Sequence, residues 1–161
     1  MDTKVTLRKV SSSRWELVHP PCACERLMDI DEVLIMLSEG ERHVAIDELR
    51  WLLDGCSDFI QAHRLLGVLA AETGDIALAR GHFGHAFRIG STAIRKAGGQ
   101  KLLPYDLEAN RDYFEAGKGL IECLIQLDKH TMAHEIVTQL VACDPTDPLE
   151  VQSLIAPSST D

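Results

Sequence analysis

The apolar positions of this sequence recur at helical spacing along most of its length. An alanine is followed by a bulky apolar residue four positions on and by an apolar or small residue three further, at Ala45/Leu49/Leu52, Ala79/Phe83/Ala86 and Ala133/Val137/Leu140. Residues so spaced share one face of a helix, so each triplet predicts a buried stripe. A second apolar segment precedes each stripe: Val33/Met36, Leu66/Gly67/Ala70 and Leu120/Ile121/Leu124. Between the segments stand Gly40, Gly74 and, in the third case, Asp128. The pattern is helix, short turn, helix, three times over. One such hairpin does not bury its own apolar face, whereas three stacked together make a continuous core.

Local signals sharpen the middle unit. Asp58 with Gln61 three residues on has the form of a capping box. Gly74 suits the left-handed residue that ends a helix, and Asp75 suits the cap of the next. Gly67, Ala70, Ala79 and Ala86 are small enough for close helix approach, and Phe83 is large enough to fill the space between units. Ala45 and Ala79 stand 34 apart, but Ala79 and Ala133 stand 54 apart, so about 20 extra residues fall near 92–112. There Gly98-Gly99 break the helical pattern and Pro104 fixes a turn before a new helix near Leu107. The plain reading is two lengthened helices joined by a loop; a dedicated binding loop is the alternative.

The ends read differently. Val5/Leu7 and Trp15/Leu17 alternate with polar residues around Ser11-Ser12-Ser13, a weak hairpin signal. The first helix, with Leu27, Met28, Ile30, Val33, Leu34, Ile35, Met36 and Leu37, is apolar almost all round and needs cover on more than one side. The lead segment, 1–26, is the nearest cover, and it is expected to dock there with Trp15 buried. In the closing stretch, 148–161, the run Asp147-Pro148-Leu149-Glu150 predicts a short helix to about Ile155. About seven helices and no central sheet are expected.

The segments Leu66-Gly67…Gly74-Asp75…Ala79…Phe83…Ala86 and Leu120…Leu124…Ala133…Leu140…Asp144-Pro145 resemble tetratricopeptide (TPR) repeats. The resemblance covers about Leu27 to Asp147, as units at 27–57, 58–91 and 113–147. It implies an all-α fold, a right-handed α-solenoid whose concave face binds a peptide or a helix. Helical projection places Leu27, Ile30, Leu34, Leu37, Arg64, Leu65, Val68, Glu72, Lys118, Glu122 and Ile125 on that face. The clamp that holds chaperone C-termini in this family needs converging Lys, Arg and Asn residues. Here Ile30, Leu34, Leu65, Glu115 and Gly119 stand in those places, so an amphipathic or hydrophobic peptide fits better.

Charge narrows the partners. Of 161 residues, 16 are Lys or Arg and 25 are Asp or Glu, a net charge of −9, which disfavours nucleic acid. No apolar run approaches about 18 residues, so no membrane span is expected. The first residues lack the apolar core of a secretory signal, and a cytoplasmic protein is expected. Five cysteines without regular spacing make a poor disulfide framework. His19, Cys22 and Cys24 resemble half a metal site but have no second cluster; Pro20 and Pro21 more simply mark the end of an extended segment. His82/His85 and His130/His134 have ligand spacing without a third ligand and read as surface residues. Cys56 and His63 make a nucleophile and base only if the fold joins them; a small turn residue is the plainer reading of Cys56. No phosphate-binding loop follows a strand-like run. A non-catalytic interaction module without cofactor is therefore expected. The alternatives are a secretion chaperone that shields a hydrophobic client, as small acidic TPR proteins do in bacterial type III secretion, a self-associating scaffold, and a metal or redox protein.

Overall fold

A computed structural model describes residues 3–155. The chain opens with an antiparallel hairpin, β1 (Thr6–Lys9) and β2 (Trp15–Val18), registered with Thr6 opposite Val18 and Lys9 opposite Trp15. Eight helices follow among the described residues: α1 (Pro21–Cys24), α2 (Leu27–Ser38), α3 (Arg42–Gly55), α4 (Ile60–Glu72), α5 (Ile76–Lys96), α6 (Glu108–Gln126), α7 (His130–Cys143) and α8 (Gln152–Ile155). From α2 to α7 each helix packs on the next, and α4 also packs on α6. The fold is predominantly helical, and no helix among the described residues is long and apolar enough to cross a membrane.

The three apolar triplets are the buried stripes of α3, α5 and α7, with Ala45, Leu49, Leu52, Ala79, Ala86, Ala133 and Leu140 all inaccessible or nearly so. The turn before each stripe passes through a left-handed residue: Gly40 at φ +80°, Gly74 at +81° and Asp128 at +63°. Aspartate is among the few side chains that tolerate this region, which is how the third turn forms without glycine. Asp75 caps α5 by accepting the Leu78 N–H at 3.1 Å. Between α5 and α6, the Leu103 N–H donates to the Cys143 carbonyl at 2.8 Å, and the Leu103 side chain is fully buried. The loop of the extra residues is therefore tied into the body of the molecule.

The lead hairpin does not dock on the first helix pair. It packs on α5 and α6, where Val5 and Leu17 join the larger core. The reason is polar: an unpaired strand edge needs partners for its backbone groups, and an apolar helix face supplies none. Asn110, fully buried in α6, accepts the Leu17 N–H at 2.9 Å and donates to the Trp15 carbonyl at 3.1 Å. The Trp15 N–H donates to the Leu102 carbonyl at 2.9 Å. Trp15 itself is only half-buried.

Two further expectations are corrected. Cys22 and Cys56 form a disulfide with a Cα–Cα distance of 5.8 Å, which joins α1 to the end of α3. Cysteines 34 residues apart in sequence meet because two helices fold back between them. Asp58 does not cap α4: its carboxylate accepts the Val5 N–H at 2.9 Å and so anchors the lead segment. At the other end, Asp147 accepts the N–H groups of Val151 and Gln152 at 2.9 and 3.1 Å, so the closing helix is a single turn that starts after Glu150. Residues 156–161 of the closing stretch lie outside the described residues.

The core has two parts. The smaller gathers Ala23, Ile30, Val33, the α3 stripe, Cys56, Phe59 and one side of α4. The larger contains the hairpin, the other side of α4, and α5 to α7 with Val151. Helix α4 is the wall between them.

Candidate interaction cleft

A cleft of about 690 Å³ opens where α2 and the starts of α4 and α6 approach one another beside α1 and the end of β2. Its apolar lining comes from Leu27, Ile30 and Leu34 at three- and four-residue steps on α2, with Phe59 from the start of α4. Its polar lining holds four acids, Glu16, Asp31, Glu108 and Asp112, with His19, Gln61 and Cys24 and no Lys or Arg. Two of these carboxylates are neutralised from outside, Glu16 by Arg8 and Asp112 by Arg64, whose Nε lies 2.5 Å from Oδ1. Asp31 and Glu108 make no ion pair among the described residues. Glu108 sits in the first turn of α6, where the helix dipole favours a negative charge on its own account. Asp31, in the body of α2, has no such local reason.

Of the residues projected onto the concave face, Leu27, Ile30 and Leu34 are brought together in this cleft. Leu27 is 54% and Leu34 45% exposed, whereas Ile30 is 2% exposed and faces mainly inward. The others lie outside its lining. Leu65 is buried in the smaller core, and Leu37, Val68 and Ile125 pack against the cores while half-buried. Arg64 is held by Asp112, and Glu72 pairs with Arg42 at 2.9 Å. Lys118 is half-buried and Glu122 is exposed. Sequence reading missed Phe59 and all four acids of the cleft. Asp31 stands on α2 beside the projected apolar residues, whereas Glu16, Phe59, Glu108 and Asp112 come from a strand, a helix cap and the first turns of α6, which no single helical projection joins.

The apolar surface continues around α2 from the cleft, with Met28 79% and Ile35 56% exposed. Leu27/Leu34 and Met28/Ile35 are each seven residues apart and form adjacent ridges.

The disulfide removes two of the candidate ligand and nucleophile thiols. Cys22 and Cys56 are spent on the disulfide, so neither the His19–Cys22–Cys24 grouping nor a Cys56–His63 pair stands. The Nε2 of His19 donates to the Ala109 carbonyl at 2.9 Å, and among the described residues no group of three or more ligand side chains is placed to hold a metal ion. His130 donates to Asp128 at 2.8 Å on the surface. Cys123 and Cys143 are buried thiols; burial raises both, with Glu122 adding at Cys123 and Asp144 adding at Cys143, which reaches about 11. No protein-family model matches the chain, and no curated protein matches it as a relative.

Proposed function

We propose that the protein is a TPR-like interaction module whose cleft takes an apolar, positively charged segment of another protein. The supporting fold features are three antiparallel helix pairs, turns at left-handed residues, and packing of α4 on α6. That last contact is the neighbour relation expected between first helices of adjacent repeats in a right-handed solenoid. The observation that carries the functional reading is the lining of the cleft. Accessible aliphatic side chains of α2 stand beside carboxylates, two of them without a cationic partner among the described residues. An amphipathic helix that presents Leu or Ile on one side and Lys or Arg beside it matches both features.

The test is fluorescence polarisation with a labelled Leu/Lys amphipathic peptide and its Leu/Glu counterpart. The cationic peptide is expected to bind and the acidic one not. Leu34→Asp and the pair Asp31→Lys/Glu108→Lys should each weaken binding at least about tenfold. Equal binding of both peptides, or binding unchanged in these variants, defeats the proposal. A second reading is self-association through α2, favoured by the exposure of Met28 and Ile35. Sedimentation equilibrium decides it, because a dimer abolished by Met28→Asp/Ile35→Asp supports it and a monomer at high micromolar concentration removes it.

The Cys22–Cys56 bond favours an oxidising compartment over the cytoplasmic location expected from the sequence. The test is the thiol state of the pair, trapped by alkylation at lysis: a bonded pair supports the oxidising reading, and free thiols support the cytoplasmic one.

A further inference from the structure

Helix α5 carries Arg80, Arg88, Arg95 and Lys96 and not one Asp or Glu along its 21 residues. In a chain of net charge −9, this segregates positive charge against the overall balance. The helix dipole accounts for Arg95 and Lys96, which lie in the last turn. It does not account for Arg88, about two turns earlier and beyond the reach of the terminus.

Arg88 lines a small cavity of about 160 Å³ together with Lys4, Asp58, His85, Thr92 and Lys96. Four of these recur along α5 at three- and four-residue steps and so share a face. The opposite wall is the chain leading into β1, pinned by the Val5 N–H on Asp58 Oδ2 at 2.9 Å and by Lys4 Nζ at 3.6 Å from Oδ1. Those contacts engage the cavity's single carboxylate. Arg88 and Lys96 form no ion pair among the described residues. His85 is held below the ordinary histidine range, first by burial and then by Arg88, with Lys4 adding and Asp58 opposing. The other groups around it are His63, stacked on its ring, and His82, one turn back on α5.

We propose that this cavity is an anion site for a small phosphate-class oxyanion, either the free ion or the end of a small phosphate monoester. Arg88 supplies a planar fork of donors, Lys96 a mobile charge, and Thr92 and His85 neutral donors. The cavity, of about 160 Å³, is small and suits one tetrahedral oxyanion. None of its lining residues belongs to the α2–α4–α6 cleft, so the site stands independently of the interaction reading.

The test follows the His85 ring by NMR in the full chain, titrated in inorganic phosphate and in sodium chloride at matched ionic strength. An anion beside His85 favours its protonated form, so phosphate should raise its pKa by at least about half a unit more than chloride does. Arg88→Gln/Lys96→Gln, two exposed positions, should remove that excess while leaving the circular dichroism spectrum and melting temperature in place. An equal excess with glycerol phosphate assigns the site to monoesters, and an excess with inorganic phosphate alone assigns it to the free ion. Identical titrations in phosphate and chloride, or an excess that survives the double substitution, overturns the proposal.

Discussion

Phe83 sets how closely three helices approach. Its ring lies between Gly67 of α4 and Gly119 of α6, and a β-carbon at either glycine would come within 2.7 Å of ring carbons. The glycines are thus there to admit the ring. Phe83→Ala leaves a cavity between both helices and is expected to cost about 3–5 kcal/mol in urea denaturation; a loss below about 1 kcal/mol would show that the ring is not structural. His63 is a different kind of single-residue constraint. Its Nε2 donates to the Ser57 carbonyl at 2.9 Å, its ring stacks on His85 with centroids 4.1 Å apart, and its Nδ1 is buried without a partner. Burial lowers its pKa to about 4, with the Ser57 carbonyl and Asp58 opposing and His85 and His82 adding to the fall. The neutral ring is the native one. Above about pH 6.5 neither state binds the proton, and stability is full. As pH falls toward 4 the unfolded chain takes up a proton that the folded one refuses, and about 3 kcal/mol is lost. Burial also lowers His82 and His85, so the measurement is a comparison: His63→Gln, whose amide can still donate to Ser57, should lose less stability between pH 7 and 4.5 than the parent. Parallel curves would place the acid sensitivity elsewhere.

At the scale of elements, the lead hairpin shows where polar pairing overrides apolar area. Asn110 holds both strand groups and also donates to the Pro104 carbonyl at 2.9 Å, which ties hairpin, loop and α6 at one buried amide. Asn110→Ala would strand the Leu17 N–H and two carbonyls, and a loss of at least about 2 kcal/mol is expected. In a Trp51→Phe background the same substitution should shift Trp15 emission toward that of tryptophan in water; an unmoved spectrum and melting point would mean that the hairpin is held without Asn110. The three buried stripes were legible in the sequence because helical spacing repeats them three times, and the turns because Gly40 and Gly74 suit a left-handed residue. The hairpin's existence was legible from its alternation, but not its destination. Several surfaces offered apolar area, and only the positions of Asn110, Asp58 and Leu102 in space choose among them. The cleft was half legible for the same reason. Leu27, Ile30 and Leu34 announce themselves on one helix, while Glu16, Phe59 and Asp112 become its walls only after distant segments meet.

On the scale of the whole molecule, the two cores are unequally secured. The larger is closed by the hairpin, the loop after α5 and the turn around Asp144, whose carboxylate accepts the Tyr105 N–H at 2.9 Å. The smaller ends at α2, which leaves Leu27, Met28, Leu34 and Ile35 accessible and packs chiefly on α3. Its staple is the Cys22–Cys56 bond, which fixes the entry to α2 against the end of α3. Closing a loop of 34 residues restricts the unfolded chain by about 3–4 kcal/mol in the chain-entropy account. Cys24 is an exposed thiol two residues from Cys22, so a single cysteine substitution leaves it free to pair with the survivor. The variant that tests the bond is therefore Cys22→Ser/Cys56→Ser. It should lower stability by about 3–4 kcal/mol at most, and unevenly. Amides of α2 should gain hydrogen exchange while those of α5 and α6 keep their protection, because α4 separates the two cores. The cleft would lose its α2 wall first, and binding of the Leu/Lys peptide should weaken along with that exchange. Protection lost equally in both cores would show instead that the molecule unfolds as one unit and that the bond secures all of it.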